Sequence, residues 1–427
     1  CKLISACLEL LVPIVCAVLL LAYMITPQIA HMLAPAYTPE QSIVLEQYLR
    51  ICYPFFLFAV VTLIWNSLMD ANKDFVVSRS ESFITSLTTI VCCVALYNVQ
   101  AVTSLVIAQY LAYFIFGALL LIRGRRYFKF TFTKLSEVPE IKIVLYTAIP
   151  LLIGNSVGQI NKIVDNSVST GLGAGNASAL SYASVLEDFV SIILVNNVVD
   201  ILYVNFSEYT ATGDYDRLKS TMRQALNVMV CLMVPITLIT CLCSKEIVSI
   251  AYLRGNFTND SLIMTSAALT GYALGFTAQG FRDIILRGLY SFKNTKGPMI
   301  TGFFAVGTNV FFTILLSKFW GVFGVAIATT FSYLVNFAIN SHMLKKHIHD
   351  YRFSQHIPTL LKQIPSSVVL IAIIFFFKHF IDSAFFVFVL SAGFGLIAYY
   401  IILKFMKIEE VDIMFEKVLA KLHLPTH

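Results

Sequence analysis

The stretch Ile149-Pro150-Leu151-Leu152-Ile153-Gly154-Asn155-Ser156-Val157-Gly158-Gln159-Ile160-Asn161-Lys162-Ile163-Val164-Asp165-Asn166-Ser167-Val168 is apolar enough to cross a membrane, yet carries Lys162 and Asp165 one helical turn apart. An ionised side chain at bilayer depth costs roughly 2.5–3.5 kcal/mol on insertion scales, so such residues usually face a polar cavity and serve it. The stretch reads as one helix of a transporter-like protein with a hydrated interior. The alternative is an internal Lys162–Asp165 pair that only fixes helix packing.

The rest of the chain fits that setting. Of 427 residues 58% are hydrophobic and 13% charged, with mean hydropathy +0.79. Soluble domains carry about 25% charged residues, so the fold class is an all-α polytopic membrane protein. About twelve apolar stretches are long enough, or nearly so, to span. They centre near residues 8–27, 50–69, 82–98, 101–122, 146–169, 180–206, 224–243, 262–286, 299–317, 323–343, 365–381 and 384–405. Nothing outside them could hold a soluble catalytic domain.

Charge sets the orientation. With the first residue cytoplasmic, 22 lysines and arginines near the ends of the stretches fall on the cytoplasmic side, from Lys73, Arg79 and Arg123 through Lys345, Arg352 and Lys404 to Lys417 and Lys421. The other side holds 5: Arg50, Lys245, Arg254, Lys318 and Lys378. That asymmetry satisfies the positive-inside rule for every stretch at once. The net charge of +6 is thus mostly topology and not a nucleic-acid footprint. Nine cysteines without a CxxC pair or a Cys/His cluster support neither a disulfide framework nor a zinc site.

An internal repeat organises the chain. Ala36-Tyr37-Thr38-Pro39-Glu40-Gln41-Ser42 resembles Asn256-Phe257-Thr258-Asn259-Asp260-Ser261, and residues 66–73 match 287–294 near the same offset. Six stretches separate the equivalent loops, an even number, so the repeats run parallel. The second copy has two stretches before its first matched helix and the first copy has none, so two N-terminal helices are expected to precede residue 1. The expected divisions are a truncated four-helix lobe over 1–126, a six-helix lobe over 143–345, an additional helix pair over 360–405 and a cytoplasmic tail over 406–427. No signal peptide is visible, though a truncated start could hide one.

On the 146–169 stretch, Asn155, Gln159, Lys162, Asn166 and Ser169 recur at steps of four and three, which is one helix face, with Asn161 and Asp165 flanking it. The next stretch adds Ser181, Ser184, Asp188 and Ser191 at helical spacing, with Glu187 and Asp200 nearby. Two such helices would line a cavity where lobes meet. Helix–helix glue explains the serines and asparagines equally well but the charges less so. Lys162, Gln159, Asn166 and Asp188 are therefore the candidate substrate-binding residues. Arg282 and Asp283 lie near the cytoplasmic end of their stretch, where a long side chain snorkels, and read as a structural pair. Gly171-Leu172-Gly173-Ala174-Gly175 follows no strand and reads as a tight turn. His342, His347, His349 and His356 read as a solvated loop. No phosphate-binding Gly-x-x-x-x-Gly-Lys-Ser/Thr loop occurs, which argues against ATP hydrolysis.

These residues resemble a known family. Pro150 to Asn161, then Val164-Asp165 and Leu180-Ser-Tyr-Ala183, is similar to the seventh and eighth helices of the MurJ/MviN lipid II flippases. Arg254-Gly255-x-Phe257, Leu289-Tyr290 with Lys296-Gly297-Pro298, and Gly321-x-x-Gly324-Val-Ala-x-Ala-Thr329 look like that family too. The match runs through nearly the whole chain from the family's third helix.

The resemblance implies two lobes around a central cavity that alternates its opening, with the last two helices forming a groove for a lipid tail. It implies a non-enzymatic flippase carrying lipid II, a polyprenyl-pyrophosphate-linked peptidoglycan precursor, across the bacterial inner membrane. Alternatives are an exporter of another lipid-linked saccharide or amphiphile, or an inactive scaffold recruiting cell-wall synthesis proteins. Expected partners are the lipid-linked precursor and membrane lipids, with no nucleic acid. It also implies a sodium site, with Asp165 at the acidic position of the seventh helix and Asn309, Thr313, Val325 and Thr329 at the partner positions. No other cofactor is expected. The chain departs from the pattern at Val185, where the family has an arginine for pyrophosphate, and at Thr313, where some relatives have aspartate.

Overall fold

A computed structural model describes residues 2–72, 74–96, 101–127, 131–132, 138, 140–294, 296–348 and 351–408. Lys73, Lys129, Lys134, His349, Lys417, Lys421 and nearly all of the expected tail over 406–427 lie outside them. The described residues are helical and contain no strand. Contacts divide the chain into two compact units, Cys1–Ile153 and Gly154–His427.

The first unit holds α1 (Lys2–Met24), α2 (Thr26–Leu33), α3 (Pro39–Ala71), the short α4 (Phe75–Ser78), α5 (Glu81–Ala95), α6 (Ala101–Gly124) and the start of α7 (Glu140–Gly171). Thr38 starts α3 with a capping box: its hydroxyl accepts from the Gln41 N–H, and the Gln41 side chain accepts from the Thr38 N–H. Leu68 and Met69 of α3 pack with Phe116 and Leu120 of α6 as the local core. Elsewhere these helices show large apolar side chains outward, such as Leu20, Leu21, Leu63 and Ile122. An apolar exterior of that extent belongs to a chain whose solvent is lipid.

The second unit continues α7 and adds α8 (Asn176–Val190), a π-helical segment (Ser191–Asn196), α9 (Asn197–Thr212), α10 (Tyr215–Leu242) and α11 (Ser244–Tyr252). It goes on with α12 (Asn259–Ala273), α13 (Phe276–Ser291), α14 (Lys296–Lys345), α15 (Ile357–Lys362), α16 (Ile364–Phe380) and α17 (Ala384–Phe405). Thr258 caps α12 as Thr38 caps α3, accepting from the Ser261 N–H, so the two copies of the repeat begin matched helices with the same device. Helix α10 is the axis of this unit: Met222, Leu226, Met229 and Met233 are fully buried against Phe276, Ile284, Ile285 and Leu289 of α13. The last pair, α16 and α17, is tied to α10 and α11 where Lys378 donates to Glu246 at 2.8 Å and to the Leu242 carbonyl at 2.7 Å.

By length and apolarity, seven described helices can cross a membrane, or nine if two bent pairs each count as one span. Helix α7, which carries the 146–169 stretch, is not among the seven or nine, and the other differences from about twelve have physical causes. The 82–98 stretch forms only the short α5. The 262–286 stretch breaks into α12 and α13 at a 42° bend, and the 365–381 stretch lies in a pair bent by 43°. The 299–317 and 323–343 stretches share α14, which folds back on itself at Gly321 (φ 55°, ψ −135°), a conformation open to glycine. Asn309 meets Thr329, Thr301 meets Asn340 and Phe312 stacks on Phe331, so residues 296–320 and 322–345 run antiparallel. Gly324 sits so close to the Leu316 carbonyl that a Cβ there would collide with it.

Candidate functional site

Within the second unit, α7, α8, α12, α13 and α14 enclose a cavity of about 470 Å³. Helix α7 presents Gly158, Asn161, Lys162, Asp165 and Asn166 to it. Those positions fall on one helical face. That face is rotated from the one expected: Asn161 and Asp165 are in the cavity and not merely beside it, while Ser169 is buried in the packing. Gln159 is exposed but does not line the cavity, and the Asn155 side chain lies outside the described set. The expected turn precedes α8, with Gly173 and Gly175 at positive φ. From α8 come Ser181, Ser184, Glu187 and Asp188, whereas exposed Val185 does not line the cavity.

Sequence reasoning missed the far wall. Arg282 was expected to snorkel, but it lines the cavity together with Leu286 and Tyr290. Its guanidinium is held by Asp283 at 2.8 Å through Nε and 2.6 Å through Nη2, and it lies 4.3 Å from the centre of the Tyr333 ring. Thr329, Ser332, Tyr333 and Asn336 of α14 complete that wall. The signal was present, since 282, 286 and 290 recur every fourth residue, as do 329, 333 and, offset by three, 332 and 336. Apolar and aromatic neighbours hid it.

Lys162 and Asp165 are not locked together. Asp165 is buried and accepts a 2.9 Å hydrogen bond from Thr313, whereas Lys162 is exposed to the cavity and, among the described residues, forms no ion pair within 4.0 Å. Two cations, Lys162 and Arg282, thus share the cavity lining with three carboxylates, Asp165, Glu187 and Asp188.

The residues expected for sodium come together behind Asp165. Asn309 and Thr313 lie one turn apart on the first arm of α14, Val325 and Thr329 one turn apart on the second, and all but Thr329 are fully buried. Asn309 donates through Nδ2 to Thr329 at 3.2 Å, while its Oδ1 is buried without a hydrogen-bond partner. A buried amide oxygen left without a donor is costly unless something positive meets it. One carboxylate, an amide oxygen and hydroxyls form an all-oxygen donor set, which suits a hard cation.

The histidine reading needs correction. His356 is buried, with its ring between the Tyr351 hydroxyl at 3.0 Å and Asn227 Oδ1 at 2.6 Å, so it is part of the packing and not of a solvated loop. His347 stacks on Phe292 with centroids 4.8 Å apart, and His349 lies outside the described residues.

The chain has relatives among known proteins. The family described as Lipid II flippase MurJ matches residues 1–394. A relative from Bdellovibrio bacteriovorus named "Probable lipid II flippase MurJ" is 25% identical over 52% of this chain and 43% of its own. A Rickettsia prowazekii protein of the same name is 25% identical over 75% of this chain and 64% of its own. The chain thus spans less than two thirds of the length of these curated relatives. Among solved structures, "Lipid II flippase MurJ, inward closed conformation" superposes with a TM-score of 0.79 at 22% identity, covering 95% of this chain and 83% of that one. The shared fold is a transporter fold.

Proposed function

We infer the function of this chain from the premise that it belongs to the Lipid II flippase MurJ family: it forms most of a flippase that moves a polyprenyl-pyrophosphate-linked peptidoglycan precursor across the bacterial inner membrane. The observation that carries this reading is a polar cavity with two basic side chains, Lys162 and Arg282, inside an otherwise apolar helix set. A pyrophosphate cannot cross low dielectric without fixed cations near it. Lys162 supplies a mobile ammonium. Arg282, steadied on one side by Asp283, keeps N–H donors for phosphate oxygens. Asn161 and Asn166 can donate to the same group, and Asp188 can accept from sugar or peptide donors. Gln159 is exposed beside that helix face and outside the cavity lining, and would meet cargo only at the cavity's margin.

No covalent chemistry is needed. The work is binding on one side, a change of opening, and release on the other; a sodium ion would be held by Asp165, Asn309, Thr313, Val325 and Thr329 and would supply a positive charge beside the Asp165 carboxylate. The positive-inside count puts the first residue in the cytoplasm. Enzymes of cell-wall synthesis would take up the delivered precursor.

The test is reconstitution of the full-length protein in liposomes with fluorescent lipid II. Protein-dependent appearance of the label on the opposite leaflet is expected. Transfer of other lipid-linked saccharides without lipid II would favour the exporter reading, and no transfer of any would favour a scaffold.

A further inference from the structure

Glu187 is the cavity carboxylate that neither the cargo contacts nor the cation site uses. It stands at the end of α8, one turn before the π-helical segment Ser191–Asn196. Such π segments interrupt the regular ladder and recur at functional positions. The Ser191 hydroxyl lies 3.1 Å from Glu187 Oε1 and 3.0 Å from Gln279 Oε1 on α13, and both Ser191 and Gln279 are buried. A serine hydroxyl owns one proton, yet here it stands between two oxygens. With Gln279 presenting its oxygen, both contacts become hydrogen bonds only when Glu187 is protonated and donates to Ser191, which then donates to Gln279. With Glu187 ionised, Ser191 donates to the carboxylate and Gln279 must turn its nitrogen towards Ser191. The triad therefore has two complete arrangements, one proton apart.

The surroundings give that proton a use. Helix α7 brings Lys162 and Asp165 to the cavity, and α8 brings Asp188 beside Glu187. Tyr272 of α12, Arg282 and Tyr290 of α13, and Tyr333 of α14 complete the titratable and charged lining, with Asp283 held against Arg282. Three carboxylates against two cations leave the lining negative when all are ionised, and an entering anion meets that excess. Neutralising one carboxylate removes it. Asp165 is engaged by Thr313, and Asp188 is open to cavity water, whereas the half-buried Glu187 carboxyl already meets the buried Ser191–Gln279 pair, which accepts either state.

We propose that Glu187 is a proton-binding site of this cavity, taking up a proton from cavity water when an anionic headgroup enters and returning it on release. This rests on the anionic-cargo reading above. Binding of the anion and of the proton then favour each other by the same factor.

The test uses the full-length protein in nanodiscs and geranylgeranyl pyrophosphate as probe. Calorimetric titration in two buffers of different ionisation enthalpy counts the protons taken up on binding. The wild type is expected to take up more protons than Glu187→Gln, by up to about one, at a pH between the midpoints of Glu187 titration in the free and the bound protein; the probe's own titration is common to both. Infrared difference spectra of the wild type alone should gain a carboxylic-acid C=O band on binding. Equal proton uptake in both proteins, or no such band in the wild type, overturns the role of Glu187 while the cargo reading stands. No binding to either protein overturns the cargo reading and this inference with it.

Discussion

The Thr313 hydroxyl donates a 2.9 Å hydrogen bond to the Asp165 carboxylate across 148 positions of sequence, joining the C-terminal part of α7 to the first arm of α14. Asn309 lies one turn from Thr313 on that arm and donates to Thr329 on the other. Sodium is therefore expected to raise the thermal midpoint of the purified protein, by an amount equivalent to about 2.7 kcal/mol at a hundredfold excess over its Kd. Asp165→Asn should abolish the response. An unchanged sodium shift in that variant would rule the site out.

Lys162→Ala in the full-length protein should weaken binding of a lipid pyrophosphate at least tenfold, about 1.4 kcal/mol, with folded yield intact. Lys162 is exposed to the cavity and makes no ion pair within 4.0 Å among the described residues, so its removal leaves no buried partner charge behind. Binding measured by quenching of intrinsic fluorescence decides this. Unchanged affinity would mean that the cargo bypasses α7.

Much of this was legible in sequence because its causes are local. Hydropathy located the apolar stretches, and the polar steps on α7 found Lys162, Asp165 and Asn166. Gly173 and Gly175 marked their turn. What escaped depends on how distant segments meet. Arg282 sits near a helix end, where snorkelling is the usual outcome, and only the packing of α13 beside Tyr333 turns it into the cavity. His356 looked solvated because its neighbours are basic, and the partner that buries it, Asn227, is 129 positions away. The separate 299–317 and 323–343 stretches anticipated a reversal between them, but not that it takes place at the single residue Gly321, since turns are expected to announce themselves with polar runs.

Acid should loosen the first unit at Asp74. Arg123 hydrogen-bonds this carboxylate at 2.7 Å, and Tyr127 adds a contact at 3.2 Å. The Arg123 hydrogen bond, acting against burial and helped by its charge, holds the Asp74 carboxyl below the ordinary aspartate value of 3.8. A carboxylate so lowered stabilises the fold fully above that ordinary value, and the contribution fades as pH falls through the lower, folded value. Asp74→Asn should therefore melt earlier than wild type at neutral pH, and the gap should close as pH drops below the ordinary carboxylate range. Arg123 is 42% exposed, so water screens the pair and the gap is modest. A gap that is constant with pH would mean that the ionic part contributes nothing.

Topology can be checked with single cysteines in a cysteine-free background. From the distribution of basic residues, positions 126 and 352 are expected in the cytoplasm and position 256 outside. An impermeant maleimide added to intact spheroplasts should label a cysteine at 256 only. Labelling at 126 would invert the whole arrangement.

The reversal at Gly321 has a consequence for biosynthesis. Residues 296–320 and 322–345 have no loop between them, and several of their facing polar groups already pair across the hairpin, as Thr301 does with Asn340 and Ser332 with the Ala305 carbonyl. Neither arm therefore has reason to enter the bilayer as a lone helix with those polar groups bare. The pair must pass from the translocation machinery into lipid as a preassembled hairpin. The polar oxygens that will face Asp165 travel with it, shielded until the hairpin docks against α7, which precedes it in the chain.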